Sequence, residues 1–179
     1  MKTLFTLLFS FVFISISVAK SHKNYGTIKS QKLYECIEKY SEELGVPKHI
    51  AYNIARLETG YKGPTHKNYN PHRRSRCGAV GPMQIIPRYA KKLEKNLSNK
   101  ILMYNIETNV RISLKMLKKH YNRYHSWEKA VACYHKGNPR PNKYSRYVTT
   151  NYDYHRKWDR SYRNDYPKCD TTDIIYANR

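Results

Sequence analysis

The sequence predicts a mainly α-helical single domain. Three observations carry that reading. Apolar residues recur at helical spacing in successive stretches between residues 32 and 134. No strand-like alternation runs longer than four residues, and no internal repeat is present. The 179 residues suit one domain with a modest core.

Residues 1–19 predict a secretory signal peptide. Lys2 precedes an apolar run from Leu4 to Val18 that is broken only by Thr and Ser. Ser17-Val18-Ala19 then places small residues at the two positions a signal peptidase reads. Cleavage is expected after Ala19, leaving an exported chain, periplasmic or secreted. An uncleaved anchor is the alternative. The run is shorter than the roughly 20 apolar residues of a spanning helix, so no stable membrane span is expected after cleavage.

Residues 20–31 are polar and aperiodic, and read as a flexible leader. From Lys32 to Leu44, the positions Leu33, Cys36, Ile37, Tyr40 and Leu44 form one helical stripe that Gly45 ends. Pro47 suits the first turn of a second helix, which runs to Thr59 and is expected to bury Ile50, Ile54 and Leu57 beside Ala51 and Ala55. Residues 60–76 read as a polar, basic loop. Gly78 and Gly81 bracket a tight turn, and Pro87 opens a helix over roughly 87–96. A long helix from Ile106 to about Tyr124 carries the stripe Val110, Leu114, Leu117 and Tyr121. Ser126 caps the next helix, whose core is Ala130 to Tyr134, and Gly137, Pro139 and Pro141 stop it. A short helix is expected over 144–157. The domain is bounded at 32–150, with a basic, Tyr-rich tail over 151–179 that Cys169 ties down.

Lys and Arg number 34 against 13 Asp and Glu, a formal charge of +21. Such a balance favours an anionic partner: nucleic acid, a membrane surface or an acidic wall polymer. Cys36, Cys77, Cys133 and Cys169 contain no C-x-x-C pair, so zinc and thioredoxin-type chemistry lack support. In an oxidising compartment two disulfides are expected, with three pairings open. Four free thiols, or one bridge with two thiols, are the alternative.

Glu58 is the only acidic residue from Leu44 through Leu93. It follows Ile54 by four residues, at the edge of the apolar stripe. Desolvation there raises a carboxyl pKa. An acid near a helix C-terminus also opposes the helix dipole. The residue is unhelpful to stability where it stands, which fits a chemical role.

The ordered set of helix-borne Glu58, then Gly78-Ala79-Val80-Gly81-Pro82-Met83-Gln84, then Asn105-Ile106, then Trp127 through Tyr134 resembles the soluble lytic transglycosylase domain of the lysozyme-like superfamily. The likeness covers roughly 32–150. It implies a lysozyme-like fold, peptidoglycan glycan strands as substrate and no cofactor or metal. By this resemblance Glu58 matches the catalytic acid and base. Thr59 stands at a position that is usually Ser. Met83 and Gln84 match the floor of the glycan groove. Tyr134 matches a tyrosine whose hydroxyl faces the catalytic carboxyl, and His135 stands where Asn is usual. Tyr147 matches a last groove-lining tyrosine. Pro82 and Ser113 replace the common Leu and Gly.

The resemblance further implies cleavage of the bond between N-acetylmuramic acid and N-acetylglucosamine, with closure of a 1,6-anhydro ring. Two alternatives stand beside it: a lysozyme-type hydrolase, and a non-catalytic wall-binding or assembly subunit of a secretion, conjugation or phage apparatus. Nucleic-acid binding could draw on 18 Tyr interleaved with basic residues. The signal segment and the lack of any nucleic-acid module argue against it.

Overall fold

The computed structural model of the chain describes residues 28–152. The expected signal peptide, most of the leader, Cys169 and nearly all of the tail lie outside these residues. Seven helices follow one another: α1 (Ile28–Leu44), α2 (Lys48–Thr59), α3 (Pro87–Ala90), α4 (Asn99–Tyr104), α5 (Ile106–Tyr124), α6 (Trp127–Lys136) and α7 (Lys143–Thr150). Among the described residues there is no strand, only isolated bridges joining Val80 to Arg74 and to Ile85.

The main core is built on α5. Its Val110, Leu114 and Leu117 belong to one buried cluster with Leu33, Ile37 and Tyr40 of α1 and with Ile50 and Ile54 of α2. Helices α1 and α6 both pack on α5, and α7 packs on α6 and α2. A smaller cluster of Val80, Ile85, Ala90, Leu97, Leu102 and Ile112 sits on another side of α5 and holds the segment from the glycine turn through α4. The helix stripes read from the sequence are therefore the inward faces, with Leu44, Tyr121 and Tyr134 half-buried at their edges and one residue exposed. Leu57 is 44% exposed, because the end of α2 turns that side toward solvent.

Helix α1 begins four residues before its expected start and takes 28–31 out of the leader. Ser30 explains this: it is fully buried, its hydroxyl donates to the Pro64 carbonyl (2.9 Å), and its own carbonyl accepts from the Tyr61 hydroxyl (2.9 Å). The basic loop is likewise more anchored than its polarity suggests, since Tyr61 and Tyr69 are buried in the main core.

The helix expected over 87–96 stops at Ala90 and continues as turns. Lys91, Lys92 and Lys95 would repel one another at helical spacing. Leu97 instead reaches the smaller core, and Ser98 caps α4 by accepting from the Ile101 N–H (3.0 Å). Helix α7 is shorter than its expected 144–157 span and ends at Thr150.

Among the described residues no disulfide is formed. Cys36, Cys77 and Cys133 are all free thiols, with Cys36 and Cys133 buried and Cys77 exposed. Cys36 lies within the core between α1 and α5, so burial, rather than bonding, explains its place.

Candidate active site

Helix α2 stops directly after its carboxylate. Gly60 adopts φ 71°, a left-handed conformation that costs glycine little, and its N–H donates to the Arg56 carbonyl (2.9 Å). Glu58 is thus fixed on the last turn. It is half-buried, and burial raises its carboxyl pKa above the ordinary 4.5. The opposing influence is one hydrogen bond: the Tyr144 hydroxyl donates to Glu58 Oε1 at 2.6 Å.

The charge environment of Glu58 differs from that of four other acids. Glu94 pairs with Arg111 and Lys115, Glu107 with Lys32 and Lys39, Glu38 with Lys48, and Glu128 with Arg146. Among the described residues, no cation pairs with Glu58. Its partner is a neutral phenol whose own pKa is driven far up by burial and by the Glu58 charge. Such a carboxyl can hold a proton at a pH where an ion-paired one cannot.

Tyr144 was not legible as the partner of Glu58; Tyr134 was expected in that position. The Tyr134 hydroxyl instead donates to the Met83 carbonyl at 2.6 Å. It remains within electrostatic reach, since the Glu58 charge contributes to raising its pKa, after burial. The difference arises from helix α7. Tyr144 sits on its first turn, and Asn142 caps that turn in a reciprocal capping box with Ser145. At the other end of α7, Asn53 of α2 donates through Nδ2 to the Val148 (3.0 Å) and Asn151 (2.6 Å) carbonyls. Both ends of the helix that carries Tyr144 are therefore fixed, the second of them directly to the helix that carries Glu58.

The Thr59 side chain is turned inward. It is buried at 4% exposure, and its hydroxyl lies 2.9 Å from the Ala55 carbonyl, 3.0 Å from the Pro82 carbonyl and 2.8 Å from the Tyr69 hydroxyl. It staples the end of α2 to the glycine turn. Met83 is also fully buried, so only its backbone could meet a ligand. Its N–H donates to Asn109 Oδ1 (3.0 Å).

Asn109 is the residue that the sequence reading missed in this turn. Fully buried on α5, it also donates through Nδ2 to the Val80 (2.9 Å) and Leu102 (2.8 Å) carbonyls. Gly81 makes room for it: at φ 77°, a Cβ there would stand 2.7 Å from the Leu102 oxygen and closer still to the Asn109 amide. Gln84 follows with φ 49°, uncommon for a residue with a side chain, and its Nε2 donates to the Gly81 (2.8 Å) and Arg73 (3.1 Å) carbonyls. Its amide N–H groups brace the turn.

His135 is exposed on the last turn of α6, with its ring stacked on that of Tyr144 at 4.0 Å between centroids and 17° between planes. Burial and Lys136 lower its pKa. Tyr147 lies half-buried on α7, three residues beyond Tyr144 and so on a neighbouring part of the same helix surface. Hydrogen bonds and ring contacts therefore link Glu58 to Tyr144 and His135, and Tyr134 to Met83. No group of three or more metal-ligating side chains occurs among the described residues.

Comparison with protein families places this geometry in a wider set. The family model described as Transglycosylase SLT domain matches residues 35–156. That span includes α2, the glycine turn, α5, α6 and α7. No curated protein and no solved structure matches the chain.

Proposed function

The chain belongs to the transglycosylase SLT domain family, and on that premise we propose that it is an exported peptidoglycan lytic transglycosylase with Glu58 as its catalytic acid and base. The family as a whole acts on peptidoglycan in the manner of lytic transglycosylases. The single observation that carries the finer reading is the Glu58 carboxyl itself: half-buried, raised in pKa, paired with no cation among the described residues and oriented by the Tyr144 hydroxyl at 2.6 Å.

The reaction follows from having one such carboxyl. Glycosidases commonly use two acids flanking the scissile bond. Here the Glu94, Glu107 and Glu128 carboxylates are engaged with cations, so a second general base is not supplied by them. Tyr144 occupies Oε1, which leaves Oε2 to carry the proton. Glu58 gives that proton to the oxygen bridging N-acetylmuramic acid to N-acetylglucosamine as the bond from that oxygen to the anomeric carbon breaks. The acetamido oxygen of the same sugar bonds to the anomeric carbon and stabilises it. Glu58, now a carboxylate, takes the proton of the 6-hydroxyl. The 6-oxygen then displaces the acetamido oxygen and closes the 1,6-anhydro ring. No water is consumed and Glu58 ends protonated, ready for another cycle.

The buried Met83 and the braced Gln84 make the glycine turn a rigid wall of the site, and Tyr134, His135 and Tyr147 line its approach on α6 and α7. The export signal read in residues 1–19 supports action in the periplasm or outside the cell.

Mass spectrometry of products from purified peptidoglycan tests the proposal. Anhydro-muropeptides are expected, and Glu58→Gln should lower their formation about a thousandfold or more. Products with reducing ends would mean that water reaches the anomeric carbon and would overturn the transglycosylase reading. Full activity in Glu58→Gln would overturn the role of Glu58.

A further inference from the structure

The charge of the chain is unevenly placed. Residues 60–100 hold ten Lys and Arg side chains and a single acid, Glu94, which is already ion-paired with Arg111 and Lys115 of α5. Helix α1, by contrast, carries four Glu and three Lys. Residues 101–152 are also basic, with ten Lys and Arg against Glu107 and Glu128. What sets the segment from Arg88 to Lys100 apart is that five exposed cations, Arg88, Lys91, Lys92, Lys95 and Lys100, crowd beside the smaller core.

Exposed apolar side chains lie in the same lobe. Tyr89 (39%), Ile101 (44%) and Tyr104 (55%) are three of the four large hydrophobic residues most exposed among those described. Helices α3 and α4, which carry them, cover the smaller core with Ala90 and Leu102 and turn these three outward. Tyr89 is flanked by cations: the Arg88 guanidinium lies 4.8 Å and the Lys92 ammonium 5.7 Å from its ring centroid. Tyr104 packs beside His72 at 5.3 Å. Lys91, Lys95 and Lys100 are also exposed.

From this combination we infer that the α3–α4 lobe is a docking surface for an anionic lipid bilayer. A soluble polyanion would explain the lysines and arginines but not the exposed Ile101. A purely apolar partner would explain Ile101 but not the five exposed cations around it. A bilayer interface accounts for both: cations attract anionic headgroups, tyrosines sit at headgroup depth with the ring apolar and the hydroxyl wet, and an aliphatic side chain enters the acyl boundary. No described helix is long and apolar enough to cross a membrane, so the contact is peripheral and reversible. Its role would be to hold the protein at a membrane surface while the site at the end of α2 stays in the aqueous layer.

The test uses purified chain whose mass shows residues 1–19 removed, so that this apolar segment adds no membrane affinity. Sedimentation with vesicles of mixed phosphatidylglycerol and phosphatidylcholine is compared with phosphatidylcholine alone. Binding is expected only to the anionic vesicles and should weaken as salt is raised. The variant Lys91→Glu/Lys92→Glu/Lys95→Glu should bind at least about 100-fold more weakly. The control Lys119→Glu/Arg123→Glu/Lys129→Glu changes net charge equally at exposed sites of α5 and α6 and should lose much less. Ile101→Ser/Tyr104→Ser keeps every charge and should still lose about tenfold.

Equal loss in the two charge variants would reduce the effect to net charge and overturn the proposal. So would full binding by the Ile101/Tyr104 variant, or binding to soluble polyphosphate without binding to vesicles. Loss of cleavage of soluble glycan strands by the lysine variant would place these residues in the glycan groove, which also overturns it. The inference does not depend on the catalytic role of Glu58, because every arm but the last reads binding alone.

Discussion

Glu58 is subject to two opposing influences, and their balance can be measured separately from catalysis. Burial disfavours the carboxylate, while the Tyr144 hydroxyl favours it. Tyr144→Phe removes only the second. The Glu58 pKa should then rise further, moving the alkaline limb of the kcat/KM profile to higher pH, while the rate falls on the order of tenfold from lost orientation. A fall in rate with an unmoved limb would mean that Tyr144 only packs. The same desolvation has a consequence for stability. A carboxyl whose folded pKa is raised binds more protons folded than unfolded between the two pKa values, so stability falls as pH rises through that window. Glu58→Gln removes the titration and keeps an acceptor for Tyr144. Its Tm should exceed that of the native chain by a few degrees at pH 7, and the difference should vanish below the ordinary carboxyl value of 4.5. Thermal unfolding at the two pH values decides this. A variant less stable at pH 7 would mean that burial does not strain Glu58.

Among the elements, the glycine turn shows most clearly what a sequence conceals. Gly78 and Gly81 announced a tight turn, and their turn chemistry is local, so it was legible. What holds the turn is Asn109, 25 residues beyond Gln84 and inside a helix whose apolar stripe drew attention elsewhere. A buried polar residue in a helix has no periodic signature that separates it from a solvent-facing one. The same reason hid Asn53, and with it the placement of α7 that brings Tyr144, rather than Tyr134, to the carboxyl. Capping residues such as Ser126 and the left-handed glycines were readable because their chemistry is complete within four residues. Asn109→Ala should take away the partner of the buried Met83 N–H and one donor each from the Leu102 and Val80 carbonyls, the latter keeping the Ile85 N–H (3.1 Å), at a cost of about 2 kcal/mol or more. Chemical denaturation should show it as a lower midpoint with an unchanged slope. Asn109→Asp should be no better, since a carboxylate would face the Val80 and Leu102 carbonyls. Native stability in either variant would show that water replaces the side chain.

Over the whole molecule, the helical class and the core of α1, α2 and α5 were legible because periodic burial is a property of each segment alone. Cysteine pairing was not, because it depends on distances between segments. An even count behind a segment read as an export signal pointed to bridges, yet Cys36 and Cys133 are buried free thiols and Cys77 is exposed. The fold therefore rests on its apolar clusters and on buried amide braces, not on cross-links between these residues. Burial also pushes the Cys36 thiol up to about 11, so little of it is the reactive thiolate at neutral pH. In a Cys169→Ser background three thiols remain. One should react promptly with a thiol reagent under native conditions, and the other two only as denaturant unfolds the core. Reductant should leave Tm unchanged in that background. A Tm lowered by reductant, or fewer than three thiols titrated after unfolding, would show that a bridge forms among Cys36, Cys77 and Cys133. Forming it would require the α1–α5 core or the exposed turn at Cys77 to open, because the two buried thiols sit within packed helices.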